Sequence, residues 1–320
     1  MRALSALPSV PLVSAPSPVE ELHALRRALG GGPRLLIKRD DALTFAFGGN
    51  KVRKMQLVAA DALAKRADTL ITSGGVQSNH ARVTAAAAAK LGLRCILVAN
   101  GPEPSKPTAN ALLDRLMGAE VRHVAGRDDR APATETAAEE VRNSGGTPYV
   151  IPIGASTPLG AAAFVQAVAE MRDQLPSPPD IIVHSTSSGG TQAGMVAGCL
   201  LADLETRVIG ISADESAASL EREIRAIMAG MPALFNLPAD RFTDAEVVVD
   251  DRFVGEGYGI PTEASHEAIE LLARTEAIFL DPTYTSKAMS GLIARVRAGA
   301  FGDGQTVLFW HTGGQVGLFA

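Results

Sequence analysis

Two lysines beside a glycine pair are the residues of this sequence with the most distinctive chemistry. Lys51 and Lys54 follow Gly48, Gly49 and Asn50 and stand one helical turn apart, so their amines lie on about the same side. The start of a helix carries partial positive charge, which repels a charged lysine. A bound anion, or covalent use of the lysine amine, would remove this repulsion. Two solvated lysines beside a turn would give the same local pattern, so the surrounding elements must be considered.

The segment after Asn50 has the periodicity of a helix. The two glycines allow a tight turn, and Asn50 is predicted to cap the helix through its side-chain oxygen. An extended run, residues 35–40, precedes the turn, so the lysines are predicted to lie on a strand–turn–helix unit. Apolar side chains recur at helical spacing at Val52, Met55, Val58, Ala59, Ala62 and Leu63.

Four loops rich in glycine and hydroxyl residues each follow a predicted buried strand. They are residues 73–80, 184–194, 281–287 and 310–314. In open parallel sheets, ligands bind beyond the carboxyl ends of the strands, so these loops are predicted to meet at one site. A single loop of this kind is usually only a helix cap, but four of them with a lysine at a helix start favour a binding site.

The second of these loops predicts a phosphate site. Successive backbone N–H groups at a helix start form a nest that suits a phosphate. Neither a nucleotide P-loop nor a dinucleotide glycine fingerprint is present, and the six histidines show no metal-ligand spacing. A phosphate nest, a reactive lysine and no metal cluster together indicate pyridoxal phosphate. The predicted nest consists of Ser188, Gly189, Gly190 and Thr191.

Composition and charge argue against several classes of function. The chain has 320 residues, 46% of them hydrophobic and 20% charged, which is typical of a globular protein with a sizeable core. A net charge of −5 gives no general attraction to nucleic acid or to an anionic membrane. No apolar run is long enough to span a bilayer, and early prolines interrupt any signal-peptide core. Cys95 and Cys199 lie in apolar segments and are expected to be reduced, so a cytoplasmic protein is expected.

Strands and helices alternate along the chain. The predicted strands are apolar without alternation, which predicts an α/β fold with parallel sheets covered on both faces. Residues 152–158 are predicted to form a crossover between two open parallel-sheet lobes. The smaller lobe is assigned residues 48–156, and the larger, cofactor-binding lobe is assigned residues 1–47 and 157–320.

Motifs spread from about residue 35 to the C-terminus carry a family resemblance. Lys-Arg-Asp-Asp at residues 38–41, followed by Gly-Gly-Asn-Lys-Val-Arg-Lys at 48–54, resembles the fold-type II pyridoxal phosphate enzymes, whose fold is like that of the tryptophan synthase β subunit. Gly-Gly-Val-Gln-Ser-Asn-His-Ala-Arg at 74–82 is similar to the aminocyclopropane-carboxylate deaminase and D-cysteine desulfhydrase family. The segments at 191–195, 257–261 and 280–284 support the same family.

The resemblance implies roles for individual residues. Lys51 would bind pyridoxal 5′-phosphate through its amine and would move protons once substrate displaces it. Asn79 would hydrogen-bond the phenolic oxygen of the cofactor, and Lys54 would lie near the phosphate as a counter-charge. Ser78 would meet the substrate carboxylate and could take part in proton transfer, and Tyr284 would stand over the reacting carbon as an acid/base or an activator of the amine. The implied substrate-binding set is Gln77, Ser78, Asn79, His80, Tyr258, Tyr284 and Thr285.

Two threonines separate the branches of this family. The deaminases resemble each other in a Tyr-Glu pair whose carboxylate partners the pyridine nitrogen, whereas this chain has Tyr284-Thr285. It also has Thr312 where the deaminase pattern has leucine. A neutral hydroxyl strengthens the electron sink less than a carboxylate does, and β-elimination of a thiolate needs a weaker sink than cyclopropane opening. Thr312 is therefore the expected partner of the pyridine nitrogen, while Thr285 can at the same time cap the next helix.

The sequence therefore predicts a pyridoxal phosphate-dependent lyase closest to the D-cysteine desulfhydrase branch. Its expected reaction converts D-cysteine, or another β-substituted alanine, to pyruvate, ammonia and the leaving group. Alternatives that share the same machinery are aminocyclopropane-carboxylate deamination, sulfonate elimination from L-cysteate, β-replacement and racemisation. An alternative of another class is a non-catalytic phosphate-binding α/β protein. A homodimer is expected from the resemblance.

Overall fold

Two separate sheets organise the computed structural model, which describes residues 7–320. The described strands are β1 (Val19–Glu21), β2 (Arg34–Arg39), β3 (Thr69–Gly75), β4 (Arg94–Asn100), β5 (Glu120–Val124), β6 (Pro148–Ile151), β7 (Ile181–Thr186), β8 (Arg207–Ser212), β9 (Val248–Asp250) and β10 (Thr306–His311). The described α-helices are α1 (His23–Ala28), α2 (Asn50–Ala64), α3 (Asn79–Leu91), α4 (Ala109–Leu116), α5 (Arg130–Asn143), α6 (Pro158–Gln174), α7 (Gly190–Leu201), α8 (Ala217–Ala229), α9 (Glu263–Glu276) and α10 (Thr285–Arg297).

The larger sheet takes its strands from both ends of the chain. Its order is β1-β2-β10-β7-β8-β9, so the last strand lies between the second and the seventh. The smaller sheet, in the order β5-β4-β3-β6, is built entirely from residues between β2 and β7. The assignment of residues 48–156 to a lobe that is a domain of its own stays a prediction.

All strand pairs but one are parallel among the described residues. Strands such as β7, in which every residue is buried, need helices on both faces, and the helices between the strands supply them. The exception is β1, which pairs antiparallel with β2. Its three residues follow Pro16 and Pro18, and such a short edge strand has too little periodicity to be predicted from sequence.

Four apolar clusters hold the helices against the sheets. Helices α6, α7 and α8 cover one face of the larger sheet, where Phe164 packs edge-on against Trp310 with ring centroids 5.8 Å apart. Helices α1, α9 and α10 cover its other face. In the smaller sheet, α2 and α3 form the main core, and α5 packs on the opposite face against Ile71 and Ile96.

A buried ionic cluster ties the two sheets together. The guanidinium of Arg53, on α2, lies 2.8 Å from Asp40 and 2.9 Å from Glu170, on α6. Lys38, at the end of β2, also pairs with Glu170, and the indole of Trp310 donates to Asp40 at 2.8 Å. Arg53, a residue of the predicted motif at 48–54, therefore stabilises the packing of the two sheets.

The turn before α2 corrects the prediction made for Asn50. Gly49, with φ of +101°, stands in the capping position, and Asn50 is the first helical residue. The Asn50 side chain instead donates to the hydroxyl of Thr191 at 3.0 Å, across the gap to α7. Gly48 also has positive φ, and a Cβ there would lie 2.5–2.8 Å from three carbonyl oxygens, so the turn requires glycine.

Candidate active site

A cavity of about 270 Å³ opens where the carboxyl ends of the two sheets face each other. All four loops singled out in the sequence contribute to its wall. The predicted site residues that line it are Lys51, Ser78, Asn79, His80, Ser188, Gly189, Thr191, Tyr258, Tyr284 and Thr312. The predicted site residues outside the lining are Lys54, Gln77, Gly190 and Thr285.

Lys51 presents its amine to the cavity from the first turn of α2. Burial lowers the pKa of this amine from its usual value to about 8, because the surroundings solvate the charged form poorly. No carboxylate among residues 7–320 forms an ion pair with it. A lysine with this pKa is partly neutral near pH 7.5, and the neutral amine is the nucleophile.

Lys54 lies directly behind the predicted phosphate nest at the start of α7, the cradle formed by residues 188–191. Its amine donates to the carbonyl of Gly154 at 3.1 Å and lies 3.4 Å from the hydroxyl of Ser156. A Cβ on Gly190 would lie 2.9 Å from the same amine, which shows how closely the lysine approaches the cradle. Burial and the charge of Lys51 hold the pKa of Lys54 well below its usual range. A bound anion would restore the charged form.

The cradle contains a residue that sequence reasoning missed. Ser156 shares a 2.7 Å hydrogen bond with Ser188, and its hydroxyl accepts from the N–H of Gly190 at 3.3 Å. The amide of Gly190 also bonds the carbonyl of Ser188, so this N–H is already engaged. The only signal for Ser156 was its place in the predicted crossover, just before the helix start at Thr157-Pro158.

Unpaired polar groups in the wall fit a doubly charged anion. The hydroxyls of Ser185 and Thr186, at the end of β7, are buried and have no hydrogen-bond partner. They stand near two buried lysine amines and the positive end of α7, which is the donor set that a phosphate requires. Buried donors of this kind cost free energy unless a ligand satisfies them. The described residues include no cluster of metal-binding side chains.

His80 is held in one tautomer. The hydroxyl of Thr72 donates to the carbonyl of Ile151 at 2.7 Å, so it accepts from Nε2 of His80 at 2.9 Å. This leaves Nδ1 of His80 as an acceptor without a partner. Burial beside Lys51 and Lys54 keeps its pKa well below the usual value, so the ring is neutral.

Ser78 caps α3 and points into the cavity. Its hydroxyl oxygen accepts from the N–H of Ala81 at 3.2 Å, which leaves the hydroxyl hydrogen free to donate. A Cβ on Gly74 would lie 2.7 Å from this oxygen, so the serine sits close against the preceding loop. Ser78 can thus donate to an anionic group, such as a carboxylate, in the cavity.

Gln77 turns away from the cavity. Its side-chain oxygen accepts from the N–H of Asn110 at 2.9 Å, and its amide nitrogen donates to the carbonyl of Thr108. The structure therefore places Gln77 in contact with α4 and not among the lining residues.

Two tyrosines face each other at the opening. The hydroxyls of Tyr258 and Tyr284 form a short mutual hydrogen bond, and Arg127 lies 5.0 Å from the centre of the Tyr258 ring. Burial, with the neighbouring phenol, raises the pKa of Tyr284 well above its usual value, and burial also raises that of Tyr258. Both phenols are therefore neutral over the physiological range. They are suited to donate a proton or hydrogen bond more than to abstract one.

Thr285 and Thr312, the two predicted branch markers, lie in different surroundings. Thr285, fully buried at the start of α10, donates from its hydroxyl to Asp281 at 2.6 Å and accepts from the N–H of the same residue. It is thus engaged with the loop and does not line the cavity. Thr312 does line the cavity, and its carbonyl accepts from the N–H of Asn50 at 2.9 Å.

The opening carries charged residues that the sequence did not single out. Arg127 comes from the loop before α5 and Arg130 is the first residue of that helix, while Asp214 and Glu215 come from the loop after β8. Burial raises the pKa of Asp214. A hydrogen bond with Ser187 and the positive charge of Arg127 partly offset this rise. These residues carried no motif, because only the fold brings the two loops together.

Comparisons with known proteins agree with this geometry. A sequence model described as pyridoxal-phosphate dependent enzyme matches residues 10–313. The chain is 42% identical to a 1-aminocyclopropane-1-carboxylate deaminase of Burkholderia multivorans, over 99% of this chain and 97% of that protein. These two matches extend over nearly the whole chain.

Solved structures give the same result at the level of the fold. The chain matches the crystal structure of an ACC deaminase homologue with a TM-score of 0.91 and 36% identity, over 99% of this chain and 95% of that one. It matches threonine deaminase isoform 2 from Solanum lycopersicum with a TM-score of 0.71 over 98% and 83% of the two chains. At 18% identity, the second match is a likeness of fold alone. The predicted α/β fold with parallel sheets is confirmed.

Proposed function

Because this chain belongs to the family of pyridoxal-phosphate dependent enzymes, we propose that it is a lyase that removes the β-substituent of a small amino acid. Its cofactor is pyridoxal phosphate, and D-cysteine is the substrate that we propose. The products would be pyruvate, ammonia and the sulfur leaving group. No described helix is long and apolar enough to cross a membrane.

The chain offers a group for each part of the cofactor. Lys51 would bind it covalently through its partly neutral amine, and Lys54 with the Ser188–Thr191 cradle would hold the phosphate. The amide of Asn79 would donate to the ring oxygen, and the hydroxyl of Thr312 would face the ring nitrogen. When bound, pyridoxal phosphate supplies an electron sink that stabilises negative charge at the substrate Cα.

The residues around the sink would then handle the substrate. Ser78 would donate to the substrate carboxylate, since its hydroxyl hydrogen is free. Lys51 would move the Cα proton once the substrate amine has displaced its own. Tyr284, kept neutral by burial, would donate to the departing group or to the substrate amine.

We choose D-cysteine because Thr312 lines the cavity and the loop at residues 281–287 adds no carboxylate to its lining. Thr312 offers a hydroxyl there, while Thr285 is engaged with Asp281 and brings no carboxylate into the cavity. A hydroxyl keeps the ring nitrogen less protonated than a carboxylate would, so the electron sink is weaker. A weaker sink suffices for expulsion of a thiolate, which is a good leaving group.

The named relatives favour a second candidate. The curated proteins matched at 38–42% identity are called 1-aminocyclopropane-1-carboxylate deaminases. Opening a cyclopropane lacks a good leaving group and needs the stronger sink. Ring opening by this chain is therefore the alternative that the substrate assay must decide.

The deciding experiment compares substrates on one enzyme preparation. Pyruvate release would be measured from D-cysteine, L-cysteine, β-chloro-D-alanine and L-cysteate, and the ketone product would be measured from 1-aminocyclopropane-1-carboxylate. Lys51→Ala is the control that removes the covalent attachment. We expect turnover of the D-substrates, abolished in the control.

Other outcomes would overturn specific parts of the proposal. Turnover confined to the cyclopropane or to cysteate would reject the argument from Thr312 and Thr285 while keeping the role of Lys51. A colourless protein that binds phosphate without turnover would reject the enzyme assignment altogether.

A further inference from the structure

Arg82 is a fully buried cation next to the cavity wall. It stands on the first turn of α3, three residues after Asn79, and is 1% exposed. Its guanidinium donates to the side-chain oxygen of Asn79 at 2.8 Å and to the carbonyl of Gly48 at 2.9 Å. Nε of Arg82 has no hydrogen-bond partner, and no carboxylate among the described residues forms an ion pair with it. A buried charge this isolated is costly and calls for a function.

The contacts of Arg82 decide which end of the Asn79 amide faces the cavity. The Asn79 oxygen accepts from Arg82 and also from the side-chain nitrogen of Asn110 at 3.0 Å. Both of its lone pairs are thereby used on the side away from the cavity. The amide nitrogen is left for the cavity, so Asn79 can only donate there.

A second layer holds this arrangement in place. The guanidinium also donates to the side-chain oxygen of Asn110 at 2.9 Å, and Asn110 donates to the carbonyl of Gln77 at 2.8 Å. The side-chain oxygen of Gln77 in turn accepts from the N–H of Asn110. The position of Gln77 outside the cavity is therefore explained by this network.

One acidic group acts on the buried charge from a distance. Asp114, on α4, is 4% exposed, and its Oδ1 has no hydrogen-bond partner. Burial raises the pKa of Asp114 to about 7, and the charge of Arg82 opposes this rise. Asp114 is therefore a partial counter-charge to Arg82 and is fully ionised only above neutral pH.

We propose that Arg82 is a positioning residue that acts on the cofactor through Asn79. Its guanidinium turns the Asn79 nitrogen toward the ring oxygen and places a positive charge behind it, which stabilises the anionic oxygen. Asp114 weakens that charge. The inference rests on the proposed contact between Asn79 and the ring oxygen.

The test uses the visible absorption band of the holoenzyme, whose pH midpoint reports how readily the lysine-bound cofactor takes up a proton. A nearby positive charge disfavours the added proton, so Arg82→Met is expected to raise the midpoint by about one pH unit. Asp114→Asn removes a negative charge that is present above about pH 7. This substitution is therefore expected to lower the midpoint. Opposite shifts are the signature, because merely structural damage would not give opposite signs.

Arg82→Lys separates charge from orientation. It keeps the positive charge but loses the fork that holds Asn79, so we expect a midpoint near wild type with weaker cofactor binding. The other charged groups around Asn79 are Lys51, Lys54 and Asp281. These three residues are the same in every variant. If Arg82→Met does not fold, the two other variants still test the proposal. We then expect a lowered midpoint in Asp114→Asn and a midpoint near wild type in Arg82→Lys.

Each result has a distinct meaning. Shifts in the same direction for Arg82→Met and Asp114→Asn, or an unchanged midpoint in Asp114→Asn, would overturn the inference. Absence of the visible band in the wild-type protein with added pyridoxal phosphate would instead overturn the proposed function.

Discussion

Burial governs the chemistry of the single residues at this site. Lys51 and Lys54 are one turn apart, but Lys51 faces the cavity with an unpaired amine while Lys54 is bonded to Gly154 behind the cradle. The same sequence motif thus supplies one nucleophile and one counter-charge. Which lysine takes which role depends on the cradle residues that only the fold brings near.

The lowered pKa of Lys51 predicts how the apoprotein captures its cofactor. Below pH 8 the neutral amine is the minor form, and its fraction rises about tenfold per pH unit until the pKa is reached. The initial rate at which the apoprotein acquires the visible band with pyridoxal phosphate should rise steeply to about pH 8 and then level off. Stopped-flow absorbance would measure it, with Lys51→Ala as a control that forms no band. A rate that still rises steeply at pH 10 would show an ordinary lysine.

At the scale of elements, the cradle depends on close approach between a loop and a helix start. Gly190 has Ser156 on one side and the Lys54 amine on the other, each within 3 Å of where a Cβ would stand. The nest therefore tolerates no side chain at this position.

Gly190→Ala is expected to weaken cofactor binding at least tenfold, on the order of the cost of one misplaced charged hydrogen bond. The alanine Cβ would displace Ser156 or Lys54 from the phosphate site. Gly304→Ala is the matched control, because Gly304 lies in an open loop with nothing within 4 Å. Equilibrium titration with pyridoxal phosphate would measure both variants, and equal affinities would mean that the cradle does not hold the phosphate.

The ionic cluster around Arg53 is expected to hold α2 in place. Arg53→Met would leave the fully buried Asp40 without its cationic partner, at a cost of about 3–5 kcal/mol in the free energy of unfolding. Arg142→Met removes an exposed ion pair with Glu135 and should cost less than about 1 kcal/mol. Urea unfolding of the two variants would compare them. Similar losses would contradict the structural role given to the cluster.

Sequence reasoning reached the parts of the site that local signals encode. Lys51, Ser78 and Asn79 stand at helix starts after strands, and that signal is readable in a single chain. The direction of Gln77 is set by Asn110, which lies on α4, and that of Thr285 is set by Asp281, four residues earlier in the same loop. Ser156 and Arg127 were missed because only tertiary packing brings Ser156 to Ser188 and Arg127 to the cavity wall.

At the scale of the whole molecule, exposed apolar side chains gather near the C-terminus. Helix α4 packs against residues 315–319, and the two carry the C-terminal apolar patch: Leu112, Leu116, Leu318 and Phe319. Leu116 is 72% and Phe319 is 76% exposed, which is unusual for large apolar side chains on two elements that pack together. A second copy of this chain is the occupant we propose for the patch.

Light scattering during size exclusion would test this homodimer. We expect a dimer for the wild-type protein and a monomer for the double variant Leu116→Asp with Phe319→Asp, because buried carboxylates would oppose association. Val150→Asp is the control, since Val150 is exposed at the opposite edge of the smaller sheet. A monomeric wild type would contradict the prediction, and a dimeric double variant would place the interface elsewhere.

The central position of β10 has a consequence for the order in which the protein can be made. Residues 306–311 pair with β2 on one side and β7 on the other, and residues 312–313 complete the cavity wall. During synthesis, the two halves of the larger sheet are therefore without their link until residues 306–311 have left the ribosome. All four strands of the smaller sheet lie before residue 152, so their pairing does not depend on β10. The complete cavity must then await β10, and a chain that stops before residue 306 would lack both the strand that joins the two halves of the larger sheet and the wall residues 312–313.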